Sequence, residues 1–159
     1  MLKSAVERTS RFRINMDRLT PERRSENMRR IKSKGMKPEL TIRRLAHRLG
    51  YRFRLHRSDL PGNPDLVFPS RRAVIFVHGC FWHQHPDANC KAAHSPRSNT
   101  DYWGPKLTRN TVRDAESQKR LAELGWRVLV VWECELKHAQ QVEEKLRGYL
   151  ESNQTGEIP

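Results

Sequence analysis

The chain has 159 residues, enough for one compact domain whose core needs no disulfide bonds. Lysine and arginine outnumber aspartate and glutamate by 31 to 18, for a formal net charge of +13, which favours a polyanionic partner such as nucleic acid. A protein that binds other acids or a membrane surface remains open on charge alone. The chain shows neither the apolar run of a secretory signal nor the roughly 20 apolar residues of a membrane span. We therefore expect a cytoplasmic protein.

The first half of the chain predicts a basic arm, two helices and three strands. Residues 1–19 have no sustained period and are interpreted as a flexible basic arm along DNA or as a disordered leader. A short basic helix over 22–31 follows the capping residues Thr20 and Pro21, and a second helix begins at Pro38 and ends before Gly50. Strands are predicted over 51–56, 65–68 and 73–77, with Tyr51, Phe53 and Leu55 on the half-buried side of the first.

The second half predicts a long loop, a helix, a strand and a last helix. The apolar residues of 83–105 follow no helical or strand periodicity, which predicts a loop. A loop of this length is uncommon unless a ligand or a function organises it. A helix is predicted over 106–124, a strand over 126–132, then an amphipathic helix and a frayed tail from residue 152. The strands 73–77 and 126–132 are apolar on both faces, so both are expected to be central. The order α-α-β-β-β-α-β-α predicts one α/β domain over 20–151 with a mixed sheet flanked by helices.

Possible metal ligands follow the two apolar strands. Cys80, His85 and Cys90 have the spacing C-x4-H-x4-C after the first strand, and Cys134 follows the second. If the strands are adjacent, three thiolates and one imidazole can meet in a closed tetrahedral zinc site. The alternative is three buried, reduced cysteines that pack as small apolar side chains. The odd number of cysteines does not suit a disulfide framework, and the signature of the zinc deaminases is absent.

A carboxylate and two histidines are expected at one edge of the sheet. Asp65 starts a short strand after the restrained sequence PGNP, His78 ends the next strand, and His83 follows in the loop. Hydrolysis of a phosphodiester requires a divalent cation, a base that titrates near neutrality and a group that contacts the phosphate. Taken by itself, Asp65 is more often a cap or turn residue.

Aromatic residues are interleaved with these histidines and cysteines. Phe81 and Trp82 lie between His78 and His83, and Tyr102 and Trp103 lie in the same long loop. Apolar side chains that enter between base steps kink a duplex, and a mismatch lowers the cost of unstacking, so exposed rings here would select damaged DNA. The alternative is that these rings cover the zinc and pack on the sheet.

The runs GNPD, AVIFVHGCFWHQH, DYW and LGWRVLVVWEC, in this order, strongly resemble the very-short-patch repair endonucleases over about residues 20–150. The resemblance implies a fold like that of type II restriction endonucleases. It implies a Mg²⁺-dependent nick 5′ to the thymine of a T:G mismatch left by deamination of 5-methylcytosine. It further implies a bacterial enzyme that joins the nucleoid when it acts and leaves the nick to downstream repair proteins. Because one strand is cut, a monomer suffices.

The resemblance also implies catalytic roles for particular residues. Asp65 and the backbone carbonyl of Val77 would bind Mg²⁺, and His83 would be the general base. His78 would contact the scissile phosphate. Glu39 would orient the histidine or the attacking water.

The remaining implied roles concern zinc and the mismatch. Structural zinc ligands are implied at Cys80, His85, Cys90 and Cys134. Intercalating aromatics are implied at Phe81, Trp82 and Trp103, with a further wedge from the opposite groove at Met28. Contacts near the mismatched bases are implied at Lys106 and Asn110.

This sequence departs from the family pattern at three places. The stretch 86–89 lengthens the interval before Cys90, and Val77 stands where threonine is familiar. Phe76 and His78 take the places of the acidic residue and lysine usual in the superfamily, so histidine must carry the chemistry. Two other functions remain open: a related nickase with another mismatch or sequence preference, and a non-catalytic zinc-stabilised protein that binds distorted DNA.

Overall fold

The structure is a computed structural model that describes residues 20–30 and 35–152. The described helices and strands are α1 Pro21–Arg30, α2 Lys37–Arg48, β1 Arg54–Leu55, β2 Leu66–Phe68, β3 Ala73–His78, α3 Thr100–Glu123, β4 Arg127–Trp132 and α4 Ala139–Glu151. This order confirms the α-α-β-β-β-α-β-α prediction. The N-terminal arm and all of the tail except Ser152 lie outside the described residues. Across the described ranges, every helix is too short or too polar to cross a membrane.

The sheet belongs to a unit that begins after residue 32, whereas α1 lies in a unit of its own. Its strand order is β1-β2-β3-β4. β2 pairs antiparallel with β1 and with β3, and β3 pairs parallel with β4, so the predicted mixed sheet is confirmed. The register places Leu66 opposite Ile75 and Val77 opposite Val131.

Helices cover both faces of the sheet because the strand residues alternate between two apolar clusters. On one face, Leu66, Phe68, Ala73 and Ile75 pack with apolar residues of α2 and α4. On the other face, Val67, Val74 and Phe76 pack with Leu121 of α3 and with Trp126. β3 is buried on both faces, as the sequence predicts, and lies between two neighbours.

Two expectations about the strands are wrong. β4 forms the edge of the described sheet and is largely half-buried, since α3 and α4 cover it incompletely. β1 is reduced to two residues because β2 is only three residues long and offers β1 little to pair with, and the side chain of Leu55 is 41% exposed. Tyr51 and Phe53 nevertheless pack against the core, edge-on to Phe68.

Helix α3 begins six residues earlier than predicted, at Thr100 instead of Lys106. Gly104 and Pro105 indicated a loop because proline lacks the N–H that helical pairing needs. The helix continues through Pro105 because Trp103 and Leu107, four residues apart on one face, are both buried. The loop after His83 is therefore shorter than expected, and Trp103 lies on a helix.

Candidate active site and metal centre

The topology of the sheet brings the chemically active residues to one edge. The parallel strands β3 and β4 end side by side, with His78 opposite Trp132. Because β2 runs antiparallel to β3, the residue that precedes β2 lies beside the end of β3. Asp65, His78 and the two cysteines that follow β3 and β4 therefore converge.

Asp65 is held against the end of β3 by its loop and by a hydrogen bond. Its Oδ2 accepts a hydrogen bond of 2.7 Å from the backbone N–H of Val77. Gly62 has φ +76°, and a Cβ at this position would come within 2.8 Å of the Cβ of Ser117. Only glycine combines this conformation with so close an approach to α3.

The carboxyl group of Asp65 lies in surroundings that favour a cation. Burial raises its pKa to about 6; the Val77 hydrogen bond opposes the shift, and the negative charge of Glu39 adds to it. A bound divalent ion would stabilise the carboxylate, and oxygen donors suit Mg²⁺. The donor set therefore fits that ion, with Asp65 and the adjacent peptide of Val77 as the available groups.

His78, His83 and Asp114 form a compact group next to Asp65. The two imidazole rings stack with centroids 3.9 Å apart and an interplanar angle of 8°. His83 Nδ1 lies 2.5 Å from Asp114 Oδ2. His78 is 5% exposed, and burial, together with the charge of His83, lowers its pKa to about 4. His78 is therefore neutral at physiological pH. We call Asp65, His78, His83 and Asp114 the acid–histidine cluster.

Asp114 is the member of this cluster that sequence reasoning missed. Burial alone would raise its pKa, but the hydrogen bond to His83 and the charge of His83 outweigh burial and lower it. Asp114 follows Lys106 and Asn110 at intervals of four residues, so the three side chains lie along one face of α3. That spacing is a signal from which Asp114 could have been predicted.

Glu39 lies on the other side of Asp65 and is 4% exposed. Its Oε2 accepts a hydrogen bond of 2.6 Å from the N–H of Gly35, and its Oε1 accepts one from Arg43. His56 Nε2 lies 3.2 Å from Oε1. The structure thus places Glu39 beside His56, a residue to which the sequence patterns assigned no role.

The four predicted zinc ligands meet at the same edge of the sheet. The ligand atoms of Cys80, His85, Cys90 and Cys134 all lie within 4.8 Å of one another. Ligands 2.3 Å from a tetrahedral ion would be about 3.8 Å apart, so little movement is needed to bind zinc. Three sulfurs and one imidazole form a closed donor set that suits this metal. We call these four residues the zinc-ligand cluster.

The lengthened interval before Cys90 is accommodated by a tight turn. The N–H of Cys90 donates to the carbonyl of Asp87 at 3.0 Å, and the N–H of Asn89 donates to the carboxylate of Asp87 at 2.9 Å. The N–H of His85 donates to the carbonyl of Cys80 at 3.0 Å. These bonds return the chain to the cluster despite the four inserted residues.

The thiols of the cluster require a positive partner to ionise together. Burial raises the pKa of Cys80 to about 12, whereas the hydrogen bond from His85 lowers that of Cys90 to about 7. Burial also raises the pKa of Cys134. A bound metal supplies the missing charge, because a coordinating thiol is deprotonated outright.

The aromatic residues pack on each other beside both clusters. Phe81 lies 5.1 Å from Trp82 and 5.4 Å from Trp103 between ring centroids, and Trp103 is 6% exposed. Lys106 Nζ lies 5.7 Å from the centre of the Trp82 ring, and Asn110 Nδ2 donates to the Trp82 carbonyl at 3.0 Å. The structure therefore groups the predicted intercalating and base-contacting residues. Met28 is the exception, since its side chain lies outside the described residues.

Trp132 contacts both clusters. Its ring stacks on His85 at 4.4 Å and meets His78 edge-on at 5.2 Å. A displacement of His85 would therefore reach His78 through one rigid side chain.

The fold resembles that of a known nuclease. The catalytic domain of the homing endonuclease I-Bth0305I aligns with 76% of this chain and 100% of its own length, with a TM-score of 0.51 and 16% sequence identity. The chain thus has the restriction-endonuclease-like fold. An acidic residue with histidines at the sheet edge is consistent with a nuclease site.

Sequence comparison identifies the family of the chain. The sequence model of the family described as DNA mismatch endonuclease Vsr matches residues 16–90. The type II nicking enzyme V.XorIIP of Xanthomonas oryzae is 53% identical over 85% of this chain and 97% of its own length. The DNA mismatch endonuclease Vsr of Escherichia coli K12 is 42% identical over 84% of this chain and 85% of its own length. The chain belongs to the Vsr family of DNA endonucleases.

Proposed function

We propose that this chain nicks one strand of duplex DNA 5′ to the thymine of a T:G mismatch, with Mg²⁺ in the active site and a structural zinc ion. The observation that carries the chemistry is the hydrogen bond between His83 and Asp114, next to the buried Asp65. Membership in a family named for mismatch endonucleases supports the substrate. A cut in one strand requires one active site, so we propose a monomer.

His83 is suited to be the general base. A carboxylate can only accept, so Asp114 holds the proton of His83 on Nδ1 and leaves Nε2 free to take a proton from water. The stacked ring of His78 restrains the imidazole from one side. Asp114 thus acts through His83 by fixing its tautomer and orientation.

Asp65 and the carbonyl of Val77 are the proposed ligands of Mg²⁺. When bound, this ion would neutralise charge that develops on the phosphate. The chain contributes a carboxylate whose burial leaves it in need of a cation. The backbone contact to Val77 holds that carboxylate at the end of β3.

His78 is proposed to contact the scissile phosphate. Its low pKa keeps the ring neutral, so it contributes a hydrogen bond and no charge. Because His78 is neutral, the positive charge that balances the phosphate would come from the metal ion and from basic side chains.

Recognition of the mismatch is proposed for the aromatic residues and two side chains of α3. Phe81, Trp82 and Trp103 would enter between base steps, and Lys106 and Asn110 would contact the displaced bases. Trp103 is buried among these rings, so insertion requires the rings to separate on DNA. Insertion of the rings is favoured at a mismatched pair, because less free energy is needed to unstack it than a matched pair.

The substrate proposal is tested with duplexes that carry T:G or T:A at one site in identical flanks, each strand end-labelled in turn. We expect one nick, 5′ to the thymine, in the T:G duplex with Mg²⁺ and little cutting of the T:A duplex. Equal cutting of the two duplexes, or a nick elsewhere, would contradict the proposal. Other mismatches in the same flanks would identify a nickase with a different preference.

A further inference from the structure

The ammonium group of Lys106 lies among three aromatic rings. Its Nζ is 5.7 Å from the ring centre of Trp82, 5.4 Å from that of Tyr102 and 5.9 Å from that of Trp103. A cation within about 6 Å of a ring centre is attracted to the negative face of the ring. Nζ also donates a hydrogen bond of 3.3 Å to the hydroxyl of Tyr102. The flexible lysine side chain is therefore held in one position.

Tyr102 differs from the two tryptophans because it can hold Lys106 while a duplex is bound. Under the proposed function, Trp82 and Trp103 enter between base steps, so Lys106 loses the contact with their rings. Tyr102 lies four residues before Lys106 on α3, and side chains at this interval are neighbours on one face of a helix. Its contact with Lys106 is internal to α3 and is therefore kept when the rings separate.

The donors of Lys106 match the base edges of a T:G mismatch. An ammonium group has three N–H donors and no acceptor, and the hydrogen bond to Tyr102 uses one of them. In the major groove, guanine presents the acceptor O6 and thymine the acceptor O4, whereas adenine and cytosine present amino groups. A T:G mismatch thus offers two carbonyl oxygens, and a C:A mismatch offers amino donors in their places. A lysine fixed at this edge favours T:G over C:A.

Asn110 lies one turn further along the same face of α3, but its amide is bonded within the protein. Its Nδ2 donates to the carbonyl of Trp82 at 3.0 Å, and its Oδ1 accepts a hydrogen bond of 3.4 Å from Arg113. Lys106, in contrast, keeps two donors for the bases after its bond to Tyr102. The position of its ammonium group should therefore matter for the choice of mismatch.

We propose that Tyr102 is a positioning residue, which fixes the ammonium group of Lys106 for the carbonyl oxygens of the mismatched bases and so contributes to the preference for T:G. The inference rests on the proposed function, because it takes Lys106 as a base contact and T:G as the substrate. The hydroxyl of Tyr102 carries the hydrogen bond and its ring carries the cation–π contact. Tyr102→Phe therefore removes the first contact and keeps the second.

The preference is measured by competition for nicking of a labelled T:G duplex. Unlabelled T:G or C:A duplexes with the same flanks are added, and the ratio of their inhibiting concentrations gives the relative affinity. Because both competitors are mismatched, the ratio reports the reading of the bases. We expect Tyr102→Phe to lower this ratio roughly 3- to 10-fold, with the zinc content and the maximal nicking rate on T:G unchanged. Tyr51→Phe, in the apolar cluster of α2 and α4, is the matched control and should keep the ratio.

A double-variant cycle tests whether Tyr102 acts through Lys106. Lys106→Met keeps an unbranched side chain and removes the donors. In that background, Tyr102→Phe should change the ratio no further. An effect of Tyr102→Phe that is as large without Lys106 as with it, or an unchanged ratio in the single variant Tyr102→Phe, would overturn the inference.

Nuclear magnetic resonance of the free protein separates this inference from the proposed function. The ring currents of the three aromatic side chains shift the ε-methylene protons of Lys106 upfield, and Tyr102→Phe should move these signals towards those of an exposed lysine. Unchanged signals would contradict the inference whichever duplex is the substrate. If the signals move but the unaltered protein does not prefer T:G, the proposed substrate is wrong and the positioning of Lys106 by Tyr102 is upheld.

Discussion

The zinc-ligand cluster and the acid–histidine cluster share one edge of the sheet but are assembled in different ways. Three of the four zinc ligands lie within eleven consecutive residues, from Cys80 to Cys90, and the fourth follows the neighbouring parallel strand. The members of the acid–histidine cluster come from a loop before β2, the end of β3, the following turn and the middle of α3. One cluster closes a local loop, whereas the other depends on how distant elements pack.

The difference in assembly accompanies the different functions that we propose for the two clusters. A closed set of three thiolates and one imidazole has no open position for a substrate and therefore stabilises structure. The other cluster combines a carboxylate, a base and a neutral donor, which are the groups that hydrolysis uses. Trp132 contacts both, so a disturbance of the first cluster should reach the second.

Loss of a zinc ligand should have the largest effect. We expect Cys134→Ser to lose zinc, to expose residues 79–99 to hydrogen exchange and to reduce nicking to background, because metal binding and local folding are coupled. Mass spectrometry with hydrogen exchange measures the first effects. A protein that keeps its protection pattern and activity without zinc would overturn the structural role of the metal.

Loss of the carboxylate proposed to bind Mg²⁺ should abolish the cut and leave the zinc site intact. We expect Asp65→Asn to reduce single-turnover nicking by roughly 10³-fold or more, with zinc content unchanged. Asp59→Asn, an exposed aspartate in the same loop that pairs with Arg57, is the matched control and should nick normally. Comparable rates for the two variants would refute the catalytic role of Asp65.

The contrast between the clusters also explains how much could be predicted from the sequence. Apolar runs and strand-end residues predicted the order of elements, and they predicted that the four proposed zinc ligands meet if β3 and β4 are adjacent, as the structure shows them to be. The exposure of β4 and the early start of α3 were missed because both depend on which helices cover which surface. Asp114, Arg43 and His56 were missed because their contacts cross between elements, and sequence spacing records only local proximity.

Loss of Asp114, which orients the proposed general base His83, should slow nicking less than loss of the proposed metal ligand Asp65. We expect Asp114→Asn to lower the maximal nicking rate roughly 10²-fold with little change in duplex affinity, because the imidazole loses its fixed tautomer. Glu116→Gln, an exposed acid on the same helix, is the control. A change in affinity without a change in rate would indicate that Asp114 serves binding instead.

The burial of Asp65 should cost stability that the asparagine variant regains. Since burial raises its pKa to about 6, the folded protein binds this proton more tightly than the unfolded chain, and stability falls as pH rises from about 4 to about 6. In Mg²⁺-free buffer at about pH 7.5, Asp65→Asn should raise the free energy of unfolding by about 3 kcal/mol. The gain should disappear below about pH 4. Denaturant titration at both pH values measures it, and equal stability at about pH 7.5 would contradict the expectation.

The division of labour between the two clusters is tested most directly by nicking of a T:G duplex with protein that carries one zinc per chain and no added Mg²⁺. We expect no nick under these conditions, a full rate once Mg²⁺ is added, and an unchanged zinc content throughout. A full nicking rate with zinc and no Mg²⁺ would contradict the proposal that the zinc-ligand cluster is structural and the acid–histidine cluster is catalytic. A nicking rate that varies with zinc content, while the fold and the Mg²⁺ concentration stay constant, would contradict it as well.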